Sequence, residues 1–324
     1  MIKNMCIDPV VLLADPNGKA WPIASEILNY LLQKDLNVRL VEVLVKDFRN
    51  KEKKIKIKEN VRKSSCFFIH DSNKHPEAWF FELLAVLEAL KGSGVKEITA
   101  VLPNMAYSRQ DRKDESRVAV SAKIIADCIS LYANHVITVD LHASQIQSFY
   151  KVPLDNLYSL HIAARYLFEK HPDLLGNLVV ASTDEGGAKL ARAFSERLKR
   201  LGVDSEIAIG SKFRPKEGEV SDYKIVGNVY GKDVLIVEDM IDSGNTLVKC
   251  AQVLKNQGAK RVYVYATHGI FTQGFGIFSD LDKIFVSNTL NQEGHPVEVV
   301  PLTEMLAEAI YRESKGESIS KLFD

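Results

Sequence analysis

The stretch that decides the fold is Val234-Leu235-Ile236-Val237-Glu238-Asp239-Met240-Ile241-Asp242-Ser243-Gly244-Asn245-Thr246-Leu247. Four apolar, mostly β-branched residues read as a strand buried on both faces. Two carboxylates end it. The tight turn Asp242-Ser243-Gly244-Asn245-Thr246 follows, and a helix predicted over Thr246–Gln257 starts from it. The first N–H groups of a helix have no partner within the helix, and its dipole favours negative charge there. With the Ser243 and Thr246 hydroxyls, that turn suits a phosphate. An acidic pair beside it suits sugar hydroxyls or a metal ion. The bland alternative is a strand–helix connection with an ordinary Asp or Ser cap.

Outward from this unit the chain repeats the alternation. Strands are predicted at Val10–Leu13, Val38–Val45, Cys66–Ile69, Ile98–Leu102, Val136–Asp140, Leu178–Ala181, Val262–Ala266 and Ile284–Val286. Helices are predicted at Pro22–Gln33, Ala78–Lys91, Ser121–Leu131, Leu160–Glu169, Gly187–Leu201 and Thr303–Arg312. Ile23, Ile27, Leu28, Leu31 and Leu32 form the apolar face of the first. Strand–helix alternation implies parallel sheets covered by helices. The 324 residues suit two such domains, meeting near Val152-Pro153. Gly210–Gly227, rich in Gly, Pro and charge, reads as a long mobile loop.

Composition excludes several classes. There are 42 Lys+Arg and 42 Asp+Glu, so no global positive field attracts nucleic acid or anionic membrane. Cys6, Cys66, Cys128 and Cys250 are widely spaced, which argues against a zinc site or disulfide framework and for a reduced, cytoplasmic setting. Val10–Ala14 is too short for a signal-peptide core. Ala78–Leu90 is broken by Glu82 and Glu88, so no transmembrane helix is expected.

The deciding stretch resembles the phosphoribosyl-diphosphate loop of type I phosphoribosyltransferases, and its Asp-Met-Ile-Asp core resembles that of the ribose-phosphate diphosphokinases. Further segments match in order: Tyr107-Ser108-Arg109-Gln110-Asp111, Asp140–Gln147, Asp155–Tyr158, Asp184–Lys189, Thr267–Phe271 and Gly316–Ser320. The resemblance implies an α/β fold of two tandem phosphoribosyltransferase-like domains, each a mainly parallel sheet flanked by helices. An ATP-side domain would span 1–157 and a ribose 5-phosphate-side domain 158–310. A tail over 311–324 would pack back on the first domain.

The resemblance also implies the chemistry: transfer of the β,γ-diphosphoryl group of MgATP to the anomeric hydroxyl of ribose 5-phosphate, for nucleotide biosynthesis. Lys212 and Arg214 would be catalytic. Phe48, Asn50, Glu52, Arg109, Gln110, Asp114 and His142 would bind ATP, the first three from a neighbouring subunit. Asp184, Glu238, Asp239, Asp242, Ser243, Gly244, Asn245 and Thr246 would bind ribose 5-phosphate. His142 and Asp184 would hold Mg²⁺, with Asp140 as a further candidate. Mg²⁺ prefers oxygen ligands and retained water, so an imidazole would complete a site built mostly from phosphate oxygens and water. Arg62, Arg117, Ser318, Ser320 and Phe323 match allosteric positions of the phosphate-activated, ADP-inhibited class. A homo-oligomer, dimer-based and up to a hexamer, is implied. The sequence departs from the family pattern at several points. Glu238-Asp239 stands for Asp-Asp, Asn245 for a Gly, and Thr183 and Glu185 for Pro and Ala. Glu115 replaces a basic residue, and the segments at Asp15–Gly18 and His75–Glu77 differ. Two rival readings remain: a catalytically silent, synthetase-associated regulatory subunit, and a phosphoribosyltransferase that consumes the diphosphate.

Overall fold

A computed structural model describes residues 9–213 and 222–322. They form two compact units. Of the described residues, the first comprises 9–157, 289–291 and 303–322; the second comprises 158–213, 222–288 and 292–302.

The first unit is built on β1 (Val10–Ala14), β2 (Val38–Asp47), β3 (Lys53–Ile57), β4 (Ser65–Ile69), β5 (Glu97–Leu102), β6 (His135–Val139) and β7 (Leu154–Leu157). Its helices are α1 (Trp21–Gln33), α2 (Pro76–Gly92), α3 (Ser121–Ile129) and α7 (Thr303–Lys315). The second unit contains β8 (Leu178–Ser182), β9 (Glu206–Phe213), β10 (Asp222–Val226), β11 (Asp233–Ile241), β12 (Arg261–Gly269), β13 (Lys283–Ser287) and β14 (Glu298–Val300). Its helices are α4 (Leu160–Lys170), α5 (Ala188–Arg200) and α6 (Asn245–Asn256).

The strand orders are β3-β2-β1-β4-β5-β6-β7 and β10-β9-β8-β11-β12-β13-β14. Every pair is parallel except the hairpins β2–β3 and β9–β10. The two orders are the same topology offset by seven strands, so the duplication lies at the level of whole units. In each sheet the order reverses between the first and fourth strands, β1/β4 and β8/β11. Ligands of open parallel sheets bind beyond the strand ends at such a reversal.

Local sequence accounts for the elements. The central strands β1 and β8 are buried along their whole length, as their uninterrupted apolar runs require. Pro22 opens α1, where its missing N–H costs nothing. Ala24, Ile27 and Leu31 bury the inner face of α1, whereas Leu32, expected on that face, is exposed. The outermost strands β3, β7, β10 and β14, and the hairpin strand β9, carry much polar sequence, and the alternation of apolar runs did not reveal them. In β3, Ile55 and Ile57 pack on the core while Lys54 and Lys56 face solvent. That period of two was hidden by lysines, which suit an edge strand.

Two expectations need correction. Gly210–Gly227 is not a loop throughout, because β9 runs to Phe213 and β10 spans Asp222–Val226, paired antiparallel. Tyr223 and Ile225 are buried and Lys224 and Val226 exposed, the alternation of a half-buried strand. The contacts also place the end of the second unit at residue 302 rather than 310, because all of α7 groups with the first unit. Met305, Leu306, Ala309 and Ile310 are buried there, and Tyr30 of α1 donates to Glu308 at 2.8 Å. His135 meets Asp155 at 2.7 Å and Glu313 of α7 at 2.9 Å.

Among the described residues Cys66, Cys128 and Cys250 are free thiols. None of the described helices is long and apolar enough to cross a membrane.

Candidate active site

In the first unit, candidate residues gather beyond the ends of β5 and β6. Asp140 leaves β6 with φ 40°, a left-handed turn that Asp tolerates better than most residues. Its N–H donates to the Leu157 carbonyl at 2.9 Å, and the Leu141 N–H donates to Asn156 Oδ1 at 3.0 Å. The end of β7 thereby holds the turn, which explains the polar Asn156 at a buried position. The turn leaves Asp140 buried and His142 exposed. His142 lines a cleft of about 250 Å³ together with Arg109, Gln110, Asp111, Asp114 and Gln145. The Gln110 amide donates to Asp114 at 3.1 Å and holds that carboxyl below its usual range. This cleft unites four of the residues assigned to ATP: Arg109, Gln110, Asp114 and His142.

The other three do not line it. Phe48, Asn50 and Glu52 form the turn of the β2–β3 hairpin. The Phe48 N–H donates to the Glu52 carbonyl at 2.7 Å, and the Glu52 N–H donates to Asn50 Oδ1 at 3.2 Å. Phe48 is 51% exposed. Among the residues assigned to effectors, Arg62 donates its N–H to Asn60 Oδ1 at 3.0 Å, and Arg117 sits on an exposed loop with φ 65°. The hydroxyls of Ser318 and Ser320 lie 2.7 Å apart. Phe323 lies outside the described residues.

In the second unit the candidates stand at the β8/β11 reversal. The acidic pair is not beyond the strand but within it: β11 continues to Ile241, where Glu238 pairs in register with Ala266 of the long β12. Asp242, Ser243 and Gly244 turn the chain into α6. Thr272 donates its hydroxyl to Asp242 Oδ1 at 2.8 Å and fixes the turn. Gly244 has φ 74°, and a Cβ there would lie 2.5 Å from the Phe278 ring, so only glycine fits. The left-handed residue is therefore Gly244 and not Asn245, which opens α6. Replacement of a glycine by Asn at 245 carries no backbone penalty. The first turn of α6 holds no acidic residue, which leaves its dipole end open to an anion.

Opposite, Asp184 Oδ1 accepts the Gly187 N–H at 3.1 Å before α5 begins. Asp184 thus braces the turn that leads into α5. The Glu238 side chain accepts the Thr183 N–H at 3.2 Å. Burial, together with the charges of Asp239 and Asp184, pushes the Glu238 carboxyl up to about 7 against the hydrogen bonds from Thr183. Carboxylate oxygens are the hard donors that Mg²⁺ takes. The residues therefore fit a divalent cation beside an anionic sugar. Among the described residues no three His, Cys, Asp or Glu side chains group closely enough to hold a metal alone. A cation here would need ligand oxygens or water.

The backbone of Lys212 lies in β9, opposite Tyr223. Arg214 lies outside the described residues. Sequence reasoning missed Tyr223, whose hydroxyl donates to the Thr183 carbonyl at 2.6 Å; the contact spans 40 residues and leaves no local signal.

These features define a protein of two tandem phosphoribosyltransferase-like α/β units. Residues 21–132 match the family described as the N-terminal domain of ribose phosphate pyrophosphokinase. Residues 211–324 match the phosphoribosyl synthetase-associated domain. Ribose-phosphate pyrophosphokinase of Rhizobium meliloti is 38% identical over 311 residues, 93% of this chain and 96% of that protein. Ribose-phosphate pyrophosphokinase 2 of Saccharomyces cerevisiae is 38% identical, over 98% of each chain. The crystal structure of phosphoribosylpyrophosphate synthetase from Mycobacterium smegmatis superposes with a TM-score of 0.82 at 28% identity, covering 95% of this chain and all of that one. The chain belongs to the ribose-phosphate pyrophosphokinase family.

Proposed function

We propose that this chain makes 5-phosphoribosyl 1-diphosphate and AMP from ATP and ribose 5-phosphate. It is an enzyme of nucleotide biosynthesis, transferring the diphosphoryl group of ATP to the anomeric hydroxyl of the sugar. The observation that carries this reading is the pairing of Glu238-Asp239 with the Gly244 turn and the open N-terminus of α6 at one strand reversal. It offers hydroxyl acceptors and a phosphate cradle side by side.

The roles follow from chemistry. Glu238 and Asp239 accept hydrogen bonds from the ribose hydroxyls. Asp242, Ser243, Gly244, Asn245 and Thr246 bind the 5-phosphate through N–H groups and hydroxyls. Arg109, Gln110 and Asp114 bind ATP: an Arg engages phosphate or stacks on the base, and the Gln amide reads a base edge. Lys212 and Arg214 stabilise charge on the moving diphosphoryl group. Phosphoryl transfer leaves little covalent work for the protein, so positioning and charge stabilisation carry the rate. Asp184 and His142, with Asp140 as a further candidate, would hold Mg²⁺. When bound, the ion neutralises phosphate charge and orients the reacting groups. Phe48, Asn50 and Glu52 serve the ATP site of a neighbouring copy, so the active form is a homo-oligomer, dimer-based and up to a hexamer. Arg62, Arg117, Ser318, Ser320 and Phe323 form an effector site for phosphate and ADP.

The test is AMP formation from ATP and ribose 5-phosphate with no nucleobase present. A phosphoribosyltransferase would form no AMP under these conditions, and a silent subunit would bind ATP without turnover.

A further inference from the structure

We propose that Tyr223 is a positioning residue for the sugar-phosphate site, fixing Glu238 and the approach to Asp184 by holding the backbone of Thr183 from one side while Glu238 holds it from the other. This inference deepens the proposed function and rests on the ribose-binding role given there to Glu238.

The buried Tyr223 hydroxyl donates to the Thr183 carbonyl at 2.6 Å, and that carbonyl belongs to the peptide leading into Asp184. The Thr183 N–H, in the preceding peptide, donates to Glu238 Oε1 at 3.2 Å. One residue is thereby pinned at both ends, between the two acids assigned to ribose and Mg²⁺. The approach is built for closeness. A Cβ on Gly210 of β9 would stand 2.3 Å from the Tyr223 hydroxyl and 2.4 Å from the Thr183 carbonyl oxygen, so a side chain there would drive the two apart. The Lys249 ammonium lies over the Tyr223 ring, 5.9 Å from its centroid. A second tie reaches the same loop from β9, because Ser211 donates its hydroxyl to Glu185 at 2.9 Å. Tyr223 also stands opposite Lys212 in the β9–β10 register. The backbone that carries the catalytic lysine and the loop that carries Asp184 are thus fastened to each other.

The arrangement gives one cause to three departures of the sequence. A proline at 183 has no N–H to give to residue 238. A Glu at 238 is one methylene longer than an Asp, and its carboxylate meets the Thr183 donor. An Ala at 185 could not accept from Ser211. Thr183, Glu185 and Glu238 are replacements that meet in one network.

Steady-state kinetics of the full chain test this, with wild type measured first. If wild type forms no AMP, the functional reading falls and the positioning role is not reached. With wild type active, Tyr223→Phe is expected to raise KM for ribose 5-phosphate roughly tenfold and to leave KM for ATP unchanged. Thr183→Pro is expected to do the same, and Thr183→Ser, which keeps both donors, to restore the wild-type value. Tyr223→Phe should add nothing further in a Glu238→Asp background, since both changes break one path. An unchanged Tyr223→Phe enzyme, an equal rise in both KM values, or full additivity with Glu238→Asp would each overturn the proposal. If Tyr223→Phe does not fold, the contrast between Thr183→Pro and Thr183→Ser decides by the same KM split.

Discussion

Lys212 lies directly opposite Tyr223 in the antiparallel β9–β10 pair, so the strand that carries the candidate catalytic cation is registered against a residue bonded to the Asp184 loop. A catalytic lysine at this position would act from a paired strand. Lys212→Ala is predicted to lower kcat by ~10²–10³, the cost of one positioned transition-state donor, about 2.7–4 kcal/mol. KM for ribose 5-phosphate should change little. Single-turnover measurement of AMP formation checks this, and an unchanged rate removes Lys212 from the mechanism.

The phosphate turn is strict at one position. Gly244→Ala forces a Cβ against Phe278 and an L side chain into left-handed backbone. The conformational cost is about 1–2 kcal/mol, with a further ~1–3 kcal/mol from overpacking. Lower thermal stability and a raised KM for ribose 5-phosphate are expected together. Asn245→Gly, at the helical neighbour, should disturb the turn far less. Thermal unfolding of the two variants side by side tests the contrast.

His135 makes stability depend on pH. Burial opposes its charge, but Asp155 and Glu313 outweigh burial and hold its pKa at about 9. The folded value lies above the ordinary 6.5. The stabilisation is therefore complete below about pH 6.5 and is lost as pH rises through about 9. Because Glu313 belongs to α7, the loss should loosen the docking of that helix. Melting temperatures between neutral and alkaline pH should fall in wild type and fall less in His135→Gln.

Phe48 is exposed, so its truncation should leave folding intact, within about 0.5 kcal/mol. If it stacks on adenine in a neighbouring copy, Phe48→Ala should raise KM for ATP by the equivalent of ~1–3 kcal/mol, the usual worth of a base on an aromatic ring. KM for ribose 5-phosphate should stay constant. A constant KM for ATP would place the hairpin turn outside the site.

Much of this was legible in the sequence, for definite reasons. The central strands announce themselves because both faces are buried and the run is apolar, as in Leu178–Ala181 of β8. The turn Asp242–Thr246 is a local signal, since its conformation depends on adjacent residues. The outermost strands were harder to read: Lys54 and Lys56 in β3 and Lys224 in β10 are solvent-facing, and they dilute the apolar pattern. The reach of β11 past the acidic pair was hidden too, because carboxylates seldom stand in a buried strand. Least legible were contacts across long separations. The meeting of Tyr223 with Thr183, and of Thr183 with Glu238, depends on β8, β9, β10 and β11 lying side by side.

The most direct test of the central claim follows the products of ATP and ribose 5-phosphate with Mg²⁺ and no nucleobase. Equal amounts of AMP and 5-phosphoribosyl 1-diphosphate are predicted, with formation abolished by chelation and restored by added Mg²⁺. No AMP, or ADP in its place, would contradict transfer of the diphosphoryl group by this chain.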